Sequence, residues 1–76
     1  MTKPREWDCG CWDTPYDHNR LVIRERPDGL YDLLHIRYTR TREGMQKIES
    51  PCGVYRELNA AKTAGWTLWR QLSDIG

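Results

Sequence analysis

The chain has no phenylalanine, no long apolar run, no glycine-rich phosphate loop and almost no net charge, +1 over 76 residues. Each lack removes a class of answers. A membrane-crossing helix needs about 20 consecutive apolar residues, and no such run is present. The opening residues, MTKPREWD, place no apolar segment behind their basic residues, so no secretory signal and a cytoplasmic location are expected. The chain has no Walker-type loop, no nucleophile elbow and no paired-carboxylate metal pattern, which points away from an enzyme and implies no small-molecule substrate. Cysteine is scarce and odd in number, at three. An odd count in a reducing compartment argues against a disulfide framework.

What is present is short and aromatic. A chain of 76 residues holds one core, and one this small buries only ~60% of its unfolded surface. Four tryptophans and four tyrosines replace the missing phenylalanine. The charge is unevenly placed. Residues 1–19 carry Lys3 and Arg5 against Glu6, Asp8, Asp13 and Asp17. Residues 20–42 carry six arginines against Glu25, Asp28 and Asp32, and the remainder is balanced. An acidic aromatic stretch thus precedes a basic one, without the large basic excess of a typical nucleic-acid binder.

Periodicity gives an α+β class: a small antiparallel sheet packed against one helix. Residues 21–40 read as a hairpin, two alternating segments around Pro27-Asp28-Gly29, with proline at the first turn position and glycine at the left-handed one. A third strand follows at about 45–49. Ser50-Pro51 resembles a helix start, serine capping and proline in the first turn, for a helix over about 51–64. Beyond Gly65 two patterns compete. Trp66 to Leu72 alternate as a fourth strand over 66–72, the favoured expectation because tryptophan and threonine prefer extended backbone. Against it, Val54, Leu58, Ala61, Gly65, Leu68, Leu72 and Ile75 keep the spacing of one continuous amphipathic helix. Residues 1–19, which fit no single period, read as an irregular N-terminal arm, and 20–76 as the domain.

Three features could carry chemistry. Cys9, Cys11 and Cys52, with His18 or His35, could supply four zinc ligands. Cys52 gains weight from its expected place at a helix start, where the dipole lowers a thiol's pKa. Their spacing is tighter than usual for zinc, and three half-buried thiols are the plainer alternative. Arg37, Arg40 and Arg42 form a basic strand end that could grip carboxylates or phosphates, or be a solvated sheet face. Trp7, Trp12 and Tyr16 are amphipathic aromatics of the kind that anchor interfaces. These features favour a small regulatory or inhibitory protein, in the manner of a phage protein that captures a host enzyme. It would dock on a larger host or cellular protein through Trp7, Trp12, Tyr16, Arg37, Arg40 and Arg42. A small nucleic-acid-binding domain, stapled by zinc, is the alternative.

Overall fold

In a computed structural model, which describes residues 3–75 with the side chain of Ile75 left aside, the chain forms four strands followed by one helix: β1 (Glu6–Asp13), β2 (Asp17–Glu25), β3 (Tyr31–Thr41), β4 (Gly44–Tyr55) and α1 (Leu58–Ile75). The strands pair antiparallel in chain order, a meander with β1 and β4 at its edges. The α+β class is as expected, a sheet against a helix. Among the described residues no helix is long and apolar enough to cross a membrane.

The hairpin of β2 and β3 forms as its turn chemistry dictates. Arg26 N–H donates to Leu30 O at 2.8 Å, Gly29 N–H donates to Arg26 O at 3.1 Å, and Gly29 takes φ +86°. This is a type I turn closed by a left-handed glycine. Asp28 adds a side-chain acceptor for the Leu30 N–H at 3.1 Å.

Several expected boundaries move. The segment read as an irregular arm is an edge strand: Glu6 to Asp13 pair with Arg24 to His18, with a bulge between Asp8 and Gly10. The bulge breaks the alternation, which is why no single period fitted. The third strand is longer than 45–49 and absorbs Ser50 and Pro51, the expected helix start. Pro51 lies opposite Leu34 in an edge strand, and a bulge at Cys52 follows. Edge strands and bulges are where a sheet accepts proline and glycine. The helix begins at Leu58, with Ala61 N–H donating to Glu57 O at 3.1 Å, and its first turn has no serine or threonine cap. It runs through Gly65 to Ile75, so 66–72 is helical rather than a fourth strand. The continuous spacing from Leu58 won. Val54, which shared that spacing, lies in β4, and the side chain of Ile75 lies outside those described.

The helix packs on one face of the sheet, chiefly over β1. Leu21, Ile23 and Leu33 from the strands meet Ala61, Leu58, Ala64, Leu68 and Trp69 from the helix, with Cys9 among them. Glycine at position 65 lets the helix come close: a Cβ there would stand 2.6 Å from Cys9 Sγ. Among the described residues no element covers the opposite face, and the Cα framework is only 14 Å thick along its shortest axis.

Candidate interaction surface

The partner-binding residues proposed from sequence fall into two separate places. Trp7 and Trp12 lie beneath the helix. Trp7 meets Tyr31 edge-on with ring centroids 5.9 Å apart, and Trp12 stacks on His35 at 5.3 Å. Both pack against the core cluster, so they are walls of the fold, and the expected docking arm is a sheet edge. Arg37 is exposed on this same face of β3. Tyr16, Arg40 and Arg42 gather elsewhere, at the end of the sheet where the β1–β2 and β3–β4 turns lie side by side.

The thiols do not converge. Cys9 is buried against Gly65, Cys11 is exposed on β1, and Cys52 is on β4 at the opposite edge. Three strand spacings separate the two edges, roughly 14 Å, far beyond a shared zinc ion. His18 is engaged by Asp13, Nδ1 to Oδ1 at 2.5 Å, and His35 by Asn19, whose Oδ1 accepts from Nε2 at 2.9 Å. Among the described residues no three histidines, cysteines or carboxylates are grouped to hold a metal. Cys52 is in a strand, without the helix start that would have lowered its pKa; burial pushes its thiol upward. Burial, with Asp8 nearby, likewise raises Cys9. The sequence Cys9-Gly10-Cys11 has a packing explanation instead. Gly10 takes φ +141° at the bulge, and the Trp69 ring occupies the space where a Cβ would be, 2.6 Å away. Trp69 Nε1–H then donates to Cys11 O at 3.2 Å.

The uncovered sheet face is a lattice of charge over an apolar strip. Val22, Leu34 and Ile36 are buried there, with Tyr38 beside them. Arg24 on β2 bonds Glu6 on β1 at 2.6 Å and Glu49 on β4 at 3.1 Å. To reach Glu49 its side chain must cross β3, above the apolar strip. Arg20 is paired with Asp8, and its pKa is raised first by that hydrogen bond. Arg26 holds Asp28 at 3.0 Å and Asp32 at 3.5 Å. Three of the six central arginines are therefore paired with carboxylates of the chain itself.

At the turn end this lattice gives way to open apolar surface. A groove of about 520 Å³ is lined by Asp13, Thr14, Pro15, Tyr16, Asp17, His18, Tyr38, Arg40 and Met45. Tyr16 is 82% exposed and Met45 63%. The β1–β2 turn that carries Tyr16 is tied by Thr14: its Oγ1 accepts from Tyr16 N–H at 3.2 Å and Asp17 N–H at 2.9 Å, and Thr14 N–H donates to Asp17 O at 2.9 Å. His18 faces Tyr38 with ring centroids 6.0 Å apart. Tyr38 and Met45 were not singled out from sequence. The signal was there: Arg42 and Glu43 form the turn that sets Arg40 opposite Met45, so any site with Arg40 includes that methionine. Comparison with protein-family models, with characterised proteins and with solved structures finds no match.

Proposed function

We propose that this chain is a non-catalytic protein-binding module, a small regulator or inhibitor that docks on a larger host or cellular protein through the turn end of its sheet. The observation that carries this reading is Tyr16, 82% exposed on a turn held by three hydrogen bonds through Thr14 and Asp17. A tyrosine kept in water on a fixed turn loses little freedom when a partner covers it, and such preorganisation adds to affinity. Tyrosine and arginine are also the residue types that dominate binding energy at interfaces. Tyr38 and Met45 supply apolar floor, and Arg40 a planar donor for a partner carboxylate. Arg42, in the adjoining turn, widens the basic rim.

The nucleic-acid alternative has less behind it. Arg20, Arg24 and Arg26 are paired with carboxylates of the chain itself, and Arg37 lies on the face opposite Arg40. The test is affinity capture from the source cell with the wild-type chain beside a Tyr16→Ala/Arg40→Ala variant of unchanged melting temperature. A polypeptide held by the first and lost by the second, at a cost of about 2 kcal/mol or more, is the expected result. Retention that ignores both substitutions would overturn the patch. Binding to nucleic acid that falls about one log unit per contact with each log unit of salt would favour the alternative.

A further inference from the structure

Independently of the turn-end patch, the two edges of the sheet differ in a way that identifies an occupant for one of them. An exposed edge strand is a template for another strand unless something blunts it. β1 is blunted. It carries a bulge between Asp8 and Gly10, and Glu6, Asp8 and Asp13 lie along it, so a second β1 would meet acid with acid. β4 has no bulge from Gly44 to Pro51, and its pairing with β3 is regular over that span.

Hydrogen-bond phase shows which groups of β4 are free. Arg26 and Leu30 form a bonded pair at the β2–β3 turn, and Glu25 N–H turns away to Arg5 O at 2.9 Å. Bonded and non-bonded pairs alternate along an antiparallel ladder. Asp32, Leu34, Ile36 and Tyr38 therefore bond towards β2, and His35, Arg37 and Thr39 towards β4, opposite Ser50, Ile48 and Gln46. The intervening residues, Met45, Lys47, Glu49 and Pro51, turn their backbone groups outward. Pro51 falls at a position where its missing N–H costs the sheet nothing.

The outward set is self-complementary. If two β4 strands run antiparallel about a twofold axis through Ile48, Lys47 of each lies opposite Glu49 of the other, in bonded pairs whose side chains share the uncovered face. Met45 lies opposite Pro51 of the second copy, and its N–H can donate to the proline carbonyl. Ile48 meets its own copy on the helix side, where α1 leaves room because it lies mainly over β1. A lysine alone would guard this edge; with glutamate two residues on, the antiparallel register turns the guard into an attraction. Glu49 Oε2 accepts from Arg24 at 3.1 Å, which leaves Oε1 for the incoming lysine. We propose that β4 binds β4 of a second copy of this chain in this register, through about six interchain backbone hydrogen bonds, to give an eight-stranded sheet.

The experiment is sedimentation equilibrium of the full chain up to about 1 mM, because a single strand pair is at the small end of interface sizes. Wild type should dimerise. Lys47→Glu and Glu49→Lys each place like charges opposite across the axis, and each should raise the dimer Kd at least about tenfold. Mixed in equal amounts, the two variants restore both opposite-charge pairs and should form the heterodimer. As a fold-independent check, Ile48→Cys in a Cys11→Ser/Cys52→Ser background should cross-link on mild oxidation, since residues facing each other in a non-bonded pair have Cα atoms about 4.5 Å apart, within disulfide range. A wild type that stays monomeric, a dimer indifferent to Lys47→Glu, or variants that ignore each other on mixing would overturn the proposal.

Discussion

Leu33 and Leu34 are neighbours in β3 that point to opposite faces, and they retain 1% and 9% of their exposure. The first is sealed by the apolar face of the helix, Ala61 and Gly65 having no side chain large enough to hold α1 away. The second is covered by no helix or strand among the described residues. It is shielded by a charged canopy in which Arg24 spans from Glu6 to Glu49 over the strip. Arginine does this because its aliphatic stem covers carbon while its head stays paired and wet. Burial depth alone therefore does not describe a core. One face excludes water by close packing, which is cooperative and insensitive to salt; the other excludes it with side chains whose order depends on ion pairs.

The comparison breaks most sharply at these two leucines. Leu33→Ala should cost about 3 kcal/mol, transfer energy plus a cavity that the helix cannot collapse into. Leu34→Ala should cost nearer 2 kcal/mol, because a flexible arginine stem can settle into the space. Urea denaturation at constant m-value measures both. Equal losses would mean that the canopy packs as rigidly as the helix.

Gly65 tests the sealed face from the other side. Alanine in place of a mid-helix glycine ordinarily stabilises by about 1 kcal/mol. Here its methyl would stand 2.6 Å from Cys9 Sγ and 3.3 Å from Leu33 Cδ1, and overpacking of that kind costs roughly 1–3 kcal/mol. Gly65→Ala should therefore destabilise by about 1 kcal/mol net, and adding Cys9→Ala should recover part of the loss. A stabilised single variant would show that the helix has slack against the sheet.

The central hairpin was legible in the sequence, and the elements that flank and cover it were not. Alternation in 30–40 and the proline–aspartate–glycine turn identified the central hairpin because both signals are local. The helix was misplaced because its strongest apparent cap, Ser50-Pro51, sits in an edge strand, and its real start at Leu58 has no such marker. β1 was missed because a bulge around Gly10 hides its period, and that glycine answers to Trp69, a contact 59 positions away in the chain. The zinc set failed for a related reason: spacing says nothing of which edge a strand occupies, and Cys11 and Cys52 lie on opposite ones. Of the aromatic anchors, exposure alone separated Tyr16 from Trp7 and Trp12, and exposure is set by where the helix lands.

The canopy is tested by separating the stem of Arg24 from its charge. Arg24→Met keeps most of the stem above Leu34, whereas Arg24→Ala removes it. Methionine should cost about 0.5 kcal/mol, the usual worth of a partly exposed ion pair, and alanine about 1 kcal/mol more for the uncovered carbon. Raising salt to about 1 M, where screening acts over roughly 3 Å, should narrow the gap between wild type and methionine but leave the alanine deficit. If both variants lose the same amount, charge alone holds the open face.

The smallest effect expected is in the pH dependence, and it concerns His35, on the helix side between Trp12 and Asn19. Asn19 is itself 3% exposed, and its Oδ1 accepts from the ring Nε2 at 2.9 Å, so the neutral ring already meets the need of that buried amide. A proton on Nδ1 would add charge to a half-buried ring stacked on Trp12, with Arg37 nearby. Burial first, and Arg37 second, hold the His35 pKa below its ordinary value. In the unfolded chain the ring takes a proton near pH 6.5, while the folded one resists, so folding releases a proton in the interval between the two values. Stability from this source is complete above about pH 6.5 and is lost as pH falls through the folded pKa. The informative measurement is a difference between two chains. Melting temperature between pH 7.5 and 5 should fall further for wild type than for His35→Gln, which keeps a donor for Asn19 and cannot charge. Parallel curves would mean that the folded ring is protonated as readily as the unfolded one, and that Trp12 and Asn19 hold it without regard to its charge.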